Sequence, residues 1–146
     1  MTFLYLDTSG LVKRYVAEAG SDEVIAAMAR ADAVVTSLVT RTEVSAAIAK
    51  AVRRRVLDDD SGRRAHRRFL DEWPDFWRMP VTDALVARAD TLAWDHGLRA
   101  YDAIQLAAAL TCRETIATLG AHTLFATFDR QLRDAALAVG LDTWPE

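Results

Sequence analysis

Four acidic residues stand at the ends of short apolar runs. Asp7 follows "FLYL", Glu43 lies just beyond "AVVTS", Asp129 follows "LFATF", and Asp102 opens the alanine-rich stretch "AYDAIQLAAALTCRET". Open α/β sheets build their sites beyond the carboxyl ends of the strands, near the point where strand order reverses. If the first, second and fourth strands are neighbours, Asp7, Glu43 and Asp129 converge there, and Asp102 joins them from the first turn of a helix. Clustered carboxylates repel one another. They become tolerable around one or two hard cations, Mg²⁺ or Mn²⁺, which take oxygen ligands. Each acid also has a plainer explanation. Asp7, Asp102 and Asp129 suit helix caps or first turns, and Thr40 with Glu43 matches a capping box. Asp83 is read as structural, because the run before it contains Pro80 and so suits an edge strand, with Thr82 as the cap.

The elements that must position these acids alternate between short apolar runs and longer amphipathic ones. That pattern points to βα units around a mostly parallel sheet. Strands are expected at 3–6, 33–37, 76–81, 124–127 and 141–144. Helices are expected from Ser9 to Glu18, from a Ser21 cap to Arg30, from Thr40 onward, over 63–72 after a "DDDSG" turn, and over 83–96, 100–115 and 129–139. The 100–115 helix is apolar nearly all round, which predicts burial.

The chain has 146 residues, 51% of them hydrophobic and 27% charged. This is a globular composition with enough length for one domain, 1–146, and a sizeable core. No run is long and apolar enough for a membrane span, and no secretory leader is evident, so a cytoplasmic protein is expected. The one cysteine, Cys112, excludes an intrachain disulfide and suits a small buried filler. His66, His96 and His122 have no metal-ligand spacing. G-x-S-x-G, P-loop and G-x-G-x-x-G motifs are absent. An aspartyl-nucleophile phosphatase of the haloacid-dehalogenase type carries a second Asp two positions after the first, where this chain has Ser9. The net charge is −3, yet between Lys50 and Arg68 eight basic residues face only three acidic ones. Arg53, Arg54, Arg55, Arg63 and Arg64 are therefore candidate phosphate contacts on charge alone. The alternative is two solvated helix ends flanking a turn.

The segments "YLDTSGLVKRY", "TRTEVSAAI", "RAYDAIQLAAAL" and "FATFDRQL", in this order and spacing, resemble the PIN-domain ribonucleases. Within that group they are most similar to the VapC toxins of type II toxin–antitoxin (VapBC) pairs. The resemblance spans essentially the whole chain. It implies a PIN-like α/β/α sandwich with strand order 3-2-1-4-5. It implies Asp7, Glu43 and Asp102 as the main acidic triad, Asp129 as a fourth, more variable acid, and Ser9 and Thr127 as polar supports. It further implies an RNA substrate, Mg²⁺ or Mn²⁺ as cofactor, a homodimer, and a VapB-like antitoxin that occludes the site. The implied reaction is endoribonucleolytic hydrolysis of a phosphodiester. Asp7 and Asp102 would be direct metal ligands, with Glu43 and Asp129 direct or water-mediated; no general acid is assigned. Two other readings stay open: a metal-dependent processing nuclease without a toxin role, and a non-catalytic protein-interaction module.

Overall fold

The computed structural model describes residues 1–146. Five parallel strands form one sheet in the order β3-β2-β1-β4-β5. They are β1 (Thr2–Leu6), β2 (Ala33–Ser37), β3 (Trp77–Met79), β4 (His122–Ala126) and β5 (Asp142–Trp144). The helices are α1 (Thr8–Leu11), α2 (Ser21–Arg30), α3 (Thr40–Arg53), α4 (Asp59–Glu72), α5 (Asp83–His96), α6 (Ala100–Ile116) and α7 (Arg130–Ala138). The expected order 3-2-1-4-5 is the observed one.

The alternation of β1 divides the core. Phe3 and Tyr5 face one side and pack with Val35, Phe125 and the apolar residues of α5, α6 and α7. Leu4 and Leu6 face the other and pack with Leu11, Val24, Val44, Ile48 and Phe69 from α1 to α4. A strand buried on both faces reads as a continuous apolar run, as "FLYL" does. The result is an α/β/α sandwich with β1 at its centre and helix starts gathered at the carboxyl ends of the strands. No helix is long and apolar enough to cross a membrane.

Local elements differ from expectation where side chains are recruited elsewhere. The helix expected from Ser9 to Glu18 is a single turn, α1, followed by a 3₁₀ turn at Val12–Arg14. Ser21 does not cap α2; Gly20 holds that place in a left-handed conformation. The Ser21 hydroxyl instead bonds the Val16 carbonyl and accepts from the Glu18 amide, closing the loop that ends α1 early. "DDDSG" is not a turn but the start of α4, with Asp58 accepting from the Ser61 amide. Gly62 lies inside that helix because α3 passes close by. A Cβ there would collide with Val52 Cγ2. β3 is short and lies at the sheet edge, as Pro80 indicated.

Candidate active site

Asp7 follows β1 directly and is the N-cap of α1, its Oδ1 accepting from the Gly10 amide at 2.9 Å. Ser9 Oγ lies 2.8 and 2.9 Å from its two oxygens, and Thr127, just past β4, donates to Oδ2 at 2.7 Å. Gly10 is needed in this turn, because a Cβ there would lie 2.9 Å from Leu6 Cδ2 and 3.3 Å from the Ala126 carbonyl. The carboxyl is 3% exposed, and every one of these donors is uncharged. Burial raises its pKa from 3.8 to about 6; the bonds from Thr127, Ser9 and Gly10 oppose the rise, and the charge of Asp102 adds to it. Asp7 is thus a cap and also a buried acid with no cation of its own, which a cap alone does not require.

The other three acids gather at the same end of the sheet. Glu43 lies in the first turn of α3, but the Thr40 capping box does not form: the N-cap is Val39, without a side-chain bond. Thr40 is buried and bonds the Thr36 hydroxyl at 2.8 Å instead. Glu43 Oε1 accepts from Thr8 at 2.8 Å and from Gln105 at 3.1 Å. Asp102 sits in the first turn of α6. Asp129 caps α7 through the Leu132 amide, and its own amide donates to Thr127. Asp83 follows the edge strand and starts α5 behind the Thr82 cap.

Arg99 joins two of these acids. Its Nε donates to Asp102 at 3.0 Å and its Nη2 to Asp129 at 3.4 Å. Those contacts, Asp102 first, together with the charge of Glu43, raise its pKa. This arginine and the amide of Gln105 both lie in the segment "RAYDAIQLAAAL", but neither is given a role by the sequence. Gln105 was nonetheless detectable: it is the one amide in a helix that is apolar nearly all round, three residues after Asp102, and a buried polar group must find partners. The oxygen-only donor set suits a hard cation in chemistry. As the side chains stand, however, no three acidic, histidine or cysteine residues are arranged to hold one ion among themselves. Arg99 draws Asp102 and Asp129 toward itself.

Beside the acids lies a cleft of about 390 Å³ lined by Thr8, Val39, Thr42, Glu43, Ala46 and Tyr101. The basic residues lie apart from it. Arg53 ends α3 ten residues after Glu43, about 15 Å along the helix. Arg54 and Arg55 continue from that end, and Arg63 faces Arg53 across a cleft between α3 and α4 of about 340 Å³. Arg64 bonds Ser61. Cys112 is buried in α6, in keeping with a packing role.

A central parallel strand ending in a buried acid, with further acids on the helices and turns beyond the neighbouring strands, defines an α/β domain with an acidic polar site at its topological switch point. The PIN domain model matches residues 4–137, and the chain belongs to that family. Ribonuclease VapC45 of Mycobacterium tuberculosis (strain CDC 1551 / Oshkosh) is 32% identical over 149 residues, covering 99% of this chain and 96% of its own length. Ribonuclease VapC49 of strain ATCC 25618 / H37Rv matches with the same figures. Among solved structures, FitAcB of Neisseria gonorrhoeae aligns with a TM-score of 0.65 at 18% identity, covering 97% of this chain and 96% of the other. VapBC2 of Rickettsia felis, bound to a promoter DNA fragment, aligns with a TM-score of 0.61 at 12% identity, covering 99% and 100%.

Proposed function

We propose that this chain is a divalent-metal-dependent endoribonuclease, the toxin of a type II toxin–antitoxin pair. One observation carries the reading: Asp7 is a buried carboxylate at the central strand end, held by neutral donors only and raised by burial and by Asp102. Relatives named as VapC ribonucleases support the substrate class. Similarity to toxin–antitoxin complexes supports a VapB-like antitoxin as partner; a homodimer is part of the same proposal. The remaining expectations belong to the same proposal: one PIN-like domain over 1–146, a cytoplasmic setting, and phosphate contacts by Arg53, Arg54, Arg55, Arg63 and Arg64.

Asp7 and Asp102 would hold Mg²⁺ or Mn²⁺, with Glu43 and Asp129 as further ligands, direct or through water. When bound, such an ion supplies Lewis acidity toward phosphoryl oxygens and makes water a stronger nucleophile at neutral pH. The chain's own contribution is placement. Ser9, Thr127 and the Gly10 amide fix both oxygens of Asp7, and Thr8 with Gln105 fixes one oxygen of Glu43. Arg99 is exposed and can exchange its carboxylates for an RNA phosphate, to which a guanidinium binds well. The test is cleavage of single-stranded RNA by purified protein after EDTA treatment, with and without added Mg²⁺ or Mn²⁺. Cleavage restored by the ion is expected. Equal cleavage in EDTA and in either metal would overturn the metal-dependent reading.

A further inference from the structure

We infer that Gln105 is a positioning residue for Glu43, and that Glu43 works through its second oxygen, Oε2; the inference rests on the reading of the acidic centre given above. Gln105 lies in the middle of α6 among buried leucines and alanines and is only 2% exposed. Burying an amide there is costly unless its groups are bonded, and all of them are. Tyr5, fully buried on β1, donates its hydroxyl to Gln105 Oε1 at 2.8 Å. Gln105 Nε2 then meets Thr40 Oγ1 at 2.9 Å, Glu43 Oε1 at 3.1 Å and Thr8 Oγ1 at 3.4 Å. An amide nitrogen has two hydrogens, so the short contacts to Thr40 and Glu43 take them and the Thr8 contact is the weakest.

The direction of this chain of bonds matters. A reversed amide would turn its carbonyl oxygen against the Glu43 carboxylate and leave the Tyr5 hydroxyl facing an NH₂ group. Glu43, whose carboxylate only accepts, therefore sets this orientation, and it leaves Gln105 Oε1 free to receive the Tyr5 hydroxyl hydrogen. Glu43 Oε1 receives two donors, Thr8 and Gln105, from two different elements. Oε2 has no hydrogen-bond partner within the chain, and Glu43 forms part of the wall of the cleft beside the acids. One oxygen is an anchor and the other is left to act on a ligand or a water. A purely structural role would satisfy Tyr5 and Thr40 alone; the bond to a partly exposed acid at the site is what the positioning role adds. Leucine at this place would suit the apolar surroundings and would release Glu43 to its free rotamers.

The test measures kcat and KM for single-stranded RNA, at saturating Mg²⁺, for the full chain and for Gln105→Leu, Gln105→Met, Tyr5→Phe, Glu43→Gln and the double variant Glu43→Gln/Gln105→Leu. Gln105→Met covers the case in which the leucine variant does not fold. The expected result is a kcat lowered about 10- to 100-fold in Gln105→Leu or Gln105→Met, the range found for residues that orient a functional ligand. KM should change little, and Tyr5→Phe should lower kcat in the same direction by less. The double variant should be no slower than Glu43→Gln, because Gln105 acts through Glu43. A folded Gln105 variant with full kcat, or losses that multiply in the double variant, would overturn the positioning role while leaving the acidic centre intact. Full kcat in folded Glu43→Gln would instead overturn Glu43 itself as a site residue.

Discussion

Asp7 and Glu72 are two carboxylates that the fold treats in opposite ways. Glu72, at the end of α4, accepts from Arg14 Nε at 2.7 Å and Nη2 at 3.0 Å, from Tyr15 at 2.7 Å and from Arg68 at 3.1 Å. Its partial burial would raise its pKa, but the bonds from Arg14, Tyr15 and Arg68 and the charge of Arg14 outweigh that and bring it to about 2. Asp7 is more deeply buried and has hydroxyls and one amide for company, so it moves the other way, to about 6. Where a carboxylate serves to tie helices together, this chain surrounds it with arginine. At the centre of the sheet it sets only neutral donors against Asp7. On the proposed reading, that contrast separates a structural acid from a functional one better than capping geometry does, since Asp7 and Asp129 are both caps.

The largest effect should come from removing charge at the centre. Asp7→Asn and Asp102→Asn should lower RNA cleavage by at least about two orders of magnitude, or about 2.7 kcal/mol of barrier. Asp83→Asn, the same change at a cap beyond the edge strand, should stay near wild type. Asn caps a helix about as well as Asp, so capping alone predicts three similar, active variants. Cleavage assays on the three proteins, with circular dichroism as the folding control, decide between the two. An active, folded Asp7→Asn would end the assignment.

The two carboxylates should next separate in the pH dependence of stability without metal. The folded state raises the pKa of Asp7, so it holds a proton that the unfolded chain has already lost between pH 3.8 and about 6. The Asp7 contribution is therefore full below that window and falls as pH rises through it, by on the order of 3 kcal/mol. Glu72 has the opposite sign. Its pKa is lowered, so its contribution is full above the ordinary 4.5 and is lost as pH falls toward 2. Urea melts from pH 3 to 8 test this. Asp7→Asn should remove the decline between pH 4 and 6, and a millimolar divalent ion should offset it in wild type. An unchanged decline in Asp7→Asn would assign it to another group.

Glu72→Gln gives a smaller effect, confined to stability. It removes charge-assisted bonds worth about 1.5–3 kcal/mol, and the midpoint of a urea melt should fall accordingly. Cleavage by the folded fraction should be unchanged. A loss of kcat in fully folded Glu72→Gln would mean that the two regions are coupled and that the contrast between them is false.

What the sequence made legible follows from the range of the interactions involved. β2 and α5 were readable to the residue at both ends, because apolar period, Gly97 and the Thr82 cap are local signals. Asp7, Glu43, Asp102 and Asp129 were legible as residues at junctions, and the family resemblance supplied the strand order that brings them together. What was not legible depends on partners distant in the chain. The Thr40 capping box fails because Thr36 and Gln105 hold Thr40, and Gln105 lies 65 positions away. The helix after Asp7 stops after one turn, and Ser21 ties the Val16 carbonyl into the loop where the helix was expected to continue. Arg99 opens the segment "RAYDAIQLAAAL" without a role until the start of α6 sets it beside both Asp102 and Asp129. Gly62, read as part of a turn, is in fact where α4 crosses Val52.

The smallest effect concerns the basic end of α3, and it sharpens the comparison by extending it to substrate binding. Arg53 and Arg63 flank the cleft between α3 and α4, about 15 Å along α3 from Glu43. RNA running from the acidic centre along α3 would meet them after two or three nucleotides, given roughly 6 Å or more between successive phosphates of an extended strand, close to the rise of two residues of extended chain. Contacts there would position the strand and take no part in bond cleavage. Replacing Arg53 and Arg63 together by Gln should weaken RNA binding and reduce the slope of log K against log salt by about 0.7 per lost phosphate contact. At saturating RNA, kcat should hold. The measurement is RNA binding by the inactive Asp7→Asn chain between 50 and 300 mM salt, as rough limits for that titration, with and without the two arginine changes. An unchanged slope would leave this segment outside the RNA path. A lowered kcat at saturation would show that charge at the far end of α3 reaches the acidic centre after all.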